Sequence, residues 1–241
     1  MVQPMARSFQ RILLACSLVL MVYPSLAQAK QAVPYSPSTQ KSFDAVLTAW
    51  APIARTPGGA SVFTLQPKSF YRLKQQRLLV LASRTVDGQR WLKVRLPAWF
   101  SHGMPSGWLN SKFAALSVNR WRVEVSRAQG TLTILHDGRV VRSAHVGTGT
   151  ASTPTPRGLN ATYDHWRSTE AVLGDWTVSL TTSSPQVPVF GGQQAVVAIH
   201  GWHAGGGASG SVSHGCVRVS SDSLMRMVAL QLPVGTPVHV Y

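Results

Sequence analysis

The chain has 241 residues, with 23 Lys or Arg against 8 Asp or Glu, a formal net charge of +15. Hydrophobic residues make up 44% and charged residues 13%, which excludes disorder by composition and leaves room for one or two domains with a packed core. The charge fits nucleic acid, a membrane surface or an anionic wall polymer; no long basic run and no nucleic-acid motif accompanies it, so nucleic acid is not an expected partner.

Residues 1–29 read as an export signal. Arg7 and Arg11 supply the basic start, Ile12 to Val22 the apolar stretch, and Ala27-Gln28-Ala29 the small-x-small cleavage pattern. The apolar run is too short for a stable membrane span, so none is expected once the signal is removed. The competing reading, a lipobox at Leu13-Leu14-Ala15-Cys16, would leave almost no apolar region before Cys16. The expectation is an exported protein of the periplasm or cell wall. Residues 30–42, with Pro34 and Pro37, read as a linker or arm.

Residues 43–117 read as a small β module. Ser61 to Thr64, Phe70 to Leu73, Leu78 to Val86 and Trp91 to Leu96 are rich in strand formers, and Asp87-Gly88 is a hairpin signal. With Gly107-Trp108-Leu109 near its end, the module resembles bacterial SH3-like domains. Both wall binding and plain packing of its tryptophans remain open.

Residues 118–241 form the second predicted domain. Trp121, Val123 and Val125 alternate with Arg122, Glu124 and Ser126, the pattern of a half-buried strand. Thr131 to Leu135, a turn at His136-Asp137-Gly138-Arg139, and Val140 to Val146 extend it into a meander of the sandwich or barrel kind. Residues 147–195, rich in Gly, Thr, Ser and Pro, read as a long loop. Within it 163–190, carrying Trp166, Trp176 and Phe190, is expected to lie as a lid over a site, against the alternative of a loop packed on its own aromatics. Val196 to Ile199 predicts a buried strand that delivers His200. Asp222 is the expected cap of one short helix running to Gln231, buried along Leu224, Met227 and Val228; Thr236 to Tyr241 reads as a closing strand. The fold class expected is therefore all-β, a β-sandwich with one short helix.

The chemistry concentrates between Ile199 and Val219, I-H-G-W-H-A-G-G-G-A-S-G-S-V-S-H-G-C-V-R-V. Cys216 is the only cysteine outside the N-terminal apolar run. An unpaired cysteine in an exported protein points to a reactive thiol, although buried inert cysteines are common. Thiol catalysis needs a base within reach, itself held in one tautomer by a third group. His200, sixteen positions earlier, can meet Cys216 only if the chain folds back, which glycines 205, 206, 207 and 210 permit. The Gly201 carbonyl is placed to orient the base. Gly215 allows a sharp turn, and the amides around Gly215 and Cys216 are candidates for an oxyanion site. In an extended strand residues 216 and 218 face one side, so Arg218 would present a guanidinium beside the thiol. His200-x-x-His203 and His214-x-Cys216 are poor as a metal set, because no carboxylate lies in the stretch and tight ligand pairs are missing. No metal and no cofactor is expected.

Ser213-His214-Gly215-Cys216-Val217-Arg218, with His200-Gly201 sixteen residues before the cysteine, resembles the signature of the L,D-transpeptidases, the YkuD domain. The resemblance runs from Trp121 to Tyr241 and takes in Thr153-Pro154-Thr155-Pro156-Arg157-Gly158 and Val234-Gly235-Thr236-Pro237-Val238. It implies a peptidoglycan cross-linking enzyme of cell-wall biogenesis, acting on stem peptides and acylated by carbapenem-type β-lactams. By that resemblance Cys216 is the nucleophile, His200 the base and Gly201 its orienter. His214 supports the site, and Arg218, with Ser213 and Gly215, binds the stem peptide through its carboxylate. A peptidoglycan L,D-carboxypeptidase using the same pair, and a non-enzymatic wall-binding protein, are the alternatives.

Overall fold

The structure is a computed structural model that describes residue 1 and residues 35–241, except 70–73, 101–102, 191 and 206–207. The predicted signal, and the strand expected at Phe70 to Leu73, lie outside the described residues. From residue 35 onward the described chain belongs to one compact unit, and it is mainly β with a single α-helix. Among the described residues no helix is long and apolar enough to cross a membrane.

Two large sheets divide this unit. The first contains β1 (Ser42–Leu47), β2 (Ala51–Ala54), β3 (Ser61–Leu65), β4 (Arg77–Val86), β5 (Gln89–Arg95), β6 (Ser106–Asn110) and β7 (Ala114–Asn119), in the order β3-β2-β6-β5-β4-β1-β7. Alternating apolar residues such as Leu78, Val80, Leu92 and Val94 are buried in its core. The β4–β5 hairpin turns at Asp87 and Gly88, with φ of 49° and 72°, the left-handed pair that matches the twist of the flanking strands.

The second sheet begins one residue after β7. It contains β8 (Trp121–Ser126), β9 (Thr131–His136), β10 (Arg139–His145), β11 (Gly147–Gly149), β12 (Gly158–Arg167) and β13 (Trp176–Leu180). A two-stranded hairpin, β14 (Val189–Phe190) and β15 (Gln193–Gln194), stands apart from it. The sheet resumes with β16 (Ala198–Gly201), β17 (Gly210–Ser213), β18 (Val217–Val219) and β19 (Pro237–Val240). Its order is β10-β9-β8-β19-β12-β13-β16-β18-β11-β17. The core lies between this sheet and helix α1 (Asp222–Leu230), where Val123, Ile134, Leu180, Ile199, Val217 and Leu224 are buried.

Three expectations change here. The stretch 147–195 is not one loop: β12 and β13 pair across it, in a register that runs from Thr162 opposite Leu180 to Arg167 opposite Trp176. Its middle is buried yet polar. Asn160, Thr162 and Asp164 are each at most 3% exposed, so apolar alternation is missing from a central strand. Polar groups replace it: Asn160 Oδ1 accepts from Arg95, the Thr162 hydroxyl donates to the Pro233 carbonyl, and Asp164 Oδ1 accepts from the His165 amide. Second, Ser221 rather than Asp222 caps the helix, its hydroxyl accepting from the Leu224 amide; Asp222 occupies the first turn, where its charge suits the positive end of the helix. Third, the buried stripe of α1 includes Met225 and Ala229 beside Leu224 and Val228, and Met227 is only partly buried.

The two sheets meet at polar contacts. Asn119 Nδ2 donates to Thr236 Oγ1 at 3.1 Å and to Asp44 Oδ2 at 3.4 Å, and Arg77 pairs with the same carboxylate at 3.3 Å. Asp44 is fully buried, and its Oδ1 has no hydrogen-bond partner among the described residues. Burial therefore pushes its carboxyl up from 3.8 to about 6, against the opposing pull of Arg77 and Asn119. The folded state holds this proton more tightly than the unfolded chain. Its contribution to stability is full below 3.8 and is lost as pH rises through about 6. The loss amounts to about 3 kcal/mol. Urea titrations of wild type and Asp44→Asn across this range are expected to show the wild type losing stability relative to the variant as pH rises; parallel curves would contradict the assignment.

Candidate active site

The strand β16 places His200, and β18 follows directly on Cys216. The two strands pair in parallel with Ile199 opposite Val217 and His200 opposite Arg218. Partners in a ladder share a face and residues two apart on a strand do too, so His200, Cys216 and Arg218 project to the same side. All three line one cavity of about 260 Å³. The fold-back that the sixteen-residue spacing requires is thus made by β17 and the turn after it.

His200 is 4% exposed. Its Nδ1 lies 2.6 Å from the Gly201 carbonyl oxygen. A carbonyl can only accept, so Nδ1 carries the proton and Nε2 of the neutral ring keeps a lone pair. Burial lowers the imidazole below its ordinary value of 6.5, and the Arg218 cation lowers it further, while the Gly201 hydrogen bond opposes both. Cys216 is partly exposed and free. Burial pushes its thiol up, against a hydrogen bond with the Ala198 backbone and the Arg218 cation, both of which lower it. Both shifts favour a neutral thiol beside a neutral imidazole at rest, the state in which a general base acts as the nucleophile attacks.

Gly201 is required by close approach. A Cβ there would fall 3.0 Å from the Gly174 Cα, and one on Gly174, whose φ is +61°, would fall 2.5 Å from the Gly201 Cα. The loop 168–175 thus rests on the backbone of Gly201, whose carbonyl accepts from His200 Nδ1. Gly215, with φ of +117°, makes the turn before Cys216. Buried Ser213 holds that turn: its hydroxyl donates to the Cys216 carbonyl at 2.6 Å and accepts from the Gly215 amide at 3.1 Å. The Ser213 carbonyl accepts in turn from the Thr150 amide and the Thr153 hydroxyl, both at 3.0 Å, which is how the Thr153–Gly158 stretch braces the site. His214 is exposed and lines the cavity.

Arg218 stacks on Trp202, its guanidinium carbon 3.7 Å from the ring centroid. Trp202 carries no sign of this role in the chain itself beyond its place two residues after His200, and so on its side of an extended chain. Val172, Leu173, Ser184 and Val187 also wall the cavity, from the loops on either side of β13, and all four lie within the 163–190 stretch expected over a site. His203 turns elsewhere: Nε2 meets Asp222 Oδ1 at 2.9 Å, and this bond raises its pKa. Among the described residues no three His, Cys, Asp or Glu converge as metal ligands. Replacing Arg218 by Gln removes a cation that lowers both Cys216 and His200. The pH midpoint of Cys216 alkylation is expected to move upward; an unchanged midpoint would show that the guanidinium does not act on the thiol.

A buried imidazole of fixed tautomer and a cysteine thus share one cavity of a mostly β protein. The family model for YkuD, the L,D-transpeptidase catalytic domain, matches residues 120–240, a span that begins one residue before β8, and the chain belongs to this family. No curated protein matches the chain. Among solved structures it is similar to an L,D-transpeptidase of Enterococcus faecium, at 20% identity over 50% of this chain and 49% of that one with a TM-score of 0.39. An L,D-transpeptidase of Xylanimonas cellulosilytica is similar at 28% identity, covering 50% of this chain and 60% of that one, with a TM-score of 0.38. One from Mycobacterium smegmatis is similar at 18% identity, covering 64% and 90%, with a TM-score of 0.38. The chain thus spans about half the length of the first of these structures.

Proposed function

We propose that the chain is an exported peptidoglycan L,D-transpeptidase that acylates Cys216 with a donor stem tetrapeptide. The observation that carries this reading is the parallel register of β16 and β18, which sets His200, Cys216 and Arg218 on one face of one cavity. His200 Nε2 takes the thiol proton as sulfur attacks the carbonyl of the bond between the L-centre and the terminal D-residue. The Gly215 amide is already engaged by Ser213, so the Cys216 amide is the group assigned to the oxyanion. The C–N bond breaks, the leaving amine takes the proton back from His200, and a thioester remains. An acceptor amine then attacks the thioester and gives its proton to His200, and Cys216 leaves as the thiol. Arg218, flattened against Trp202, receives a stem-peptide carboxylate. Carbapenem-type β-lactams would acylate the same sulfur.

In this reading residues 1–29 direct export, residues 30–42 link, and the sheet of β1–β7 is an SH3-like module that places the catalytic domain on the wall, with the basic surface meeting anionic wall polymers. Mass spectrometry of the mature protein with a stem tetrapeptide and an amine acceptor tests the reaction. Loss of the terminal residue with a cross-linked product is expected, and both are expected to vanish in Cys216→Ala. A shortened peptide without cross-link would instead identify a carboxypeptidase, and no acylation would leave a wall-binding protein.

A further inference from the structure

A second cavity, of about 290 Å³, opens where the two sheets meet. Arg95 at the end of β5, Trp99, Thr181, Thr182, Ser183 and Gln194 line it. It shares walls with the active-site cavity: Ser183 is followed by Ser184 and Gln194 by Ala195, and those two residues line the Cys216 side. Trp99 fixes this boundary, its indole N–H donating to the Gln194 carbonyl at 2.7 Å.

Among the described residues Arg95, like most of the arginines, pairs with no carboxylate; what sets it apart is its place in the wall of this cavity. Its Nη2 donates to Asn160 Oδ1 at 2.9 Å, and its buried Nε has no hydrogen-bond partner among the described residues. Arg95 is half-buried, and this burial lowers its pKa. A planar guanidinium beside hydroxyls and an indole is the chemistry of carboxylate recognition.

We propose that this cavity is a second carboxylate subsite, in which Arg95 binds an acidic group of a stem peptide other than the one met by Arg218. The inference rests on the transpeptidase reading for the identity of its ligand. Donor and acceptor stems both carry such carboxylates, and the test separates them. In the full mature chain, acylation of Cys216 would be followed with a tetrapeptide donor and with the same peptide bearing carboxamides in place of its internal acids. Transfer would be followed with acidic and amidated acceptors. Arg95→Gln is expected to raise KM about tenfold for the acidic peptide in one arm, leaving kcat and the amidated peptide unchanged. Thr182→Val, which leaves the Asn160 contact intact, is expected to act in the same direction. An effect in the acylation arm assigns the cavity to the donor; an effect in the transfer arm assigns it to the acceptor. Equal behaviour of acidic and amidated peptides in wild type and variants, in both arms, would overturn the proposal. Calorimetric binding of the two peptides to Cys216→Ala needs no turnover. Arg95-dependent preference for the acidic peptide without any acylation of the wild type would keep the subsite and remove the transpeptidase reading, whereas binding without preference would remove the subsite.

Discussion

Replacing His200 by Gln is expected to lower the rate of Cys216 acylation by a stem tetrapeptide about 10³-fold, the scale of a lost general base. The resting pair is neutral on both sides, because burial lowers the imidazole and raises the thiol. Little thiolate is therefore present to react without the base. The same shifts fix the sign of the pH dependence. With His200 as the proposed base, activity requires its neutral form, so in wild type the acid limb of kcat/KM is expected below 6.5, the ordinary imidazole value, with activity holding as pH rises from there. In His200→Gln the acid limb disappears and the residual rate climbs with thiolate formation into the alkaline range. Stopped-time mass spectrometry across a pH series checks both. A His200→Gln rate within tenfold of wild type, or an acid limb above 6.5, would show that His200 is not the base.

Gly174→Ala is expected to cost about 10²-fold in acylation, although residue 174 is outside the residues that line the cavity. The added carbon would meet the Gly201 Cα at 2.5 Å and the Gly201 carbonyl carbon at 2.7 Å, and alanine is itself strained at φ of +61°. Displacing Gly201 moves the oxygen that holds His200 Nδ1 and tilts Nε2 away from the sulfur. The loss should fall on kcat more than on KM, with a modest drop in melting temperature and unchanged far-ultraviolet circular dichroism. Acylation within twofold of wild type in a folded Gly174→Ala protein would mean that the Gly201 carbonyl does not set the geometry of the base.

Local pattern made several elements readable from the chain alone. The Trp121 to Ser126 alternation, the two Asp-Gly hairpins and the apolar run before His200 each encode their structure within a few residues. In the second sheet, β9 lies next to the exposed edge strand β10 and β8 next to β9, and both are core on one face only, so alternation survives in them. The β12 and β13 strands were hidden because they are buried by polar pairing. Asn160 answers Arg95 and Thr162 answers Pro233, partners 65 and 71 residues away. A glycine, threonine and serine composition cannot distinguish such a strand from a loop. Trp202 and Gly174 were hidden for the same reason, since each matters only through a neighbour from elsewhere, the Arg218 guanidinium in one case and the Gly201 backbone in the other.

Residue order already gives the candidate reagents: a thiol, a histidine sixteen residues before it, a glycine to lend the histidine a carbonyl, and an arginine two places on. Reagent identity is a property of side chains, and their order along the chain records it. The tertiary structure alone decided that they meet. His200 and Arg218 become opposite residues only when β16 and β18 pair in parallel, through hydrogen bonds between backbone groups that every residue carries alike. Such bonds leave no mark in residue type, so register, cavity and the seam between the two sheets had to come from the fold.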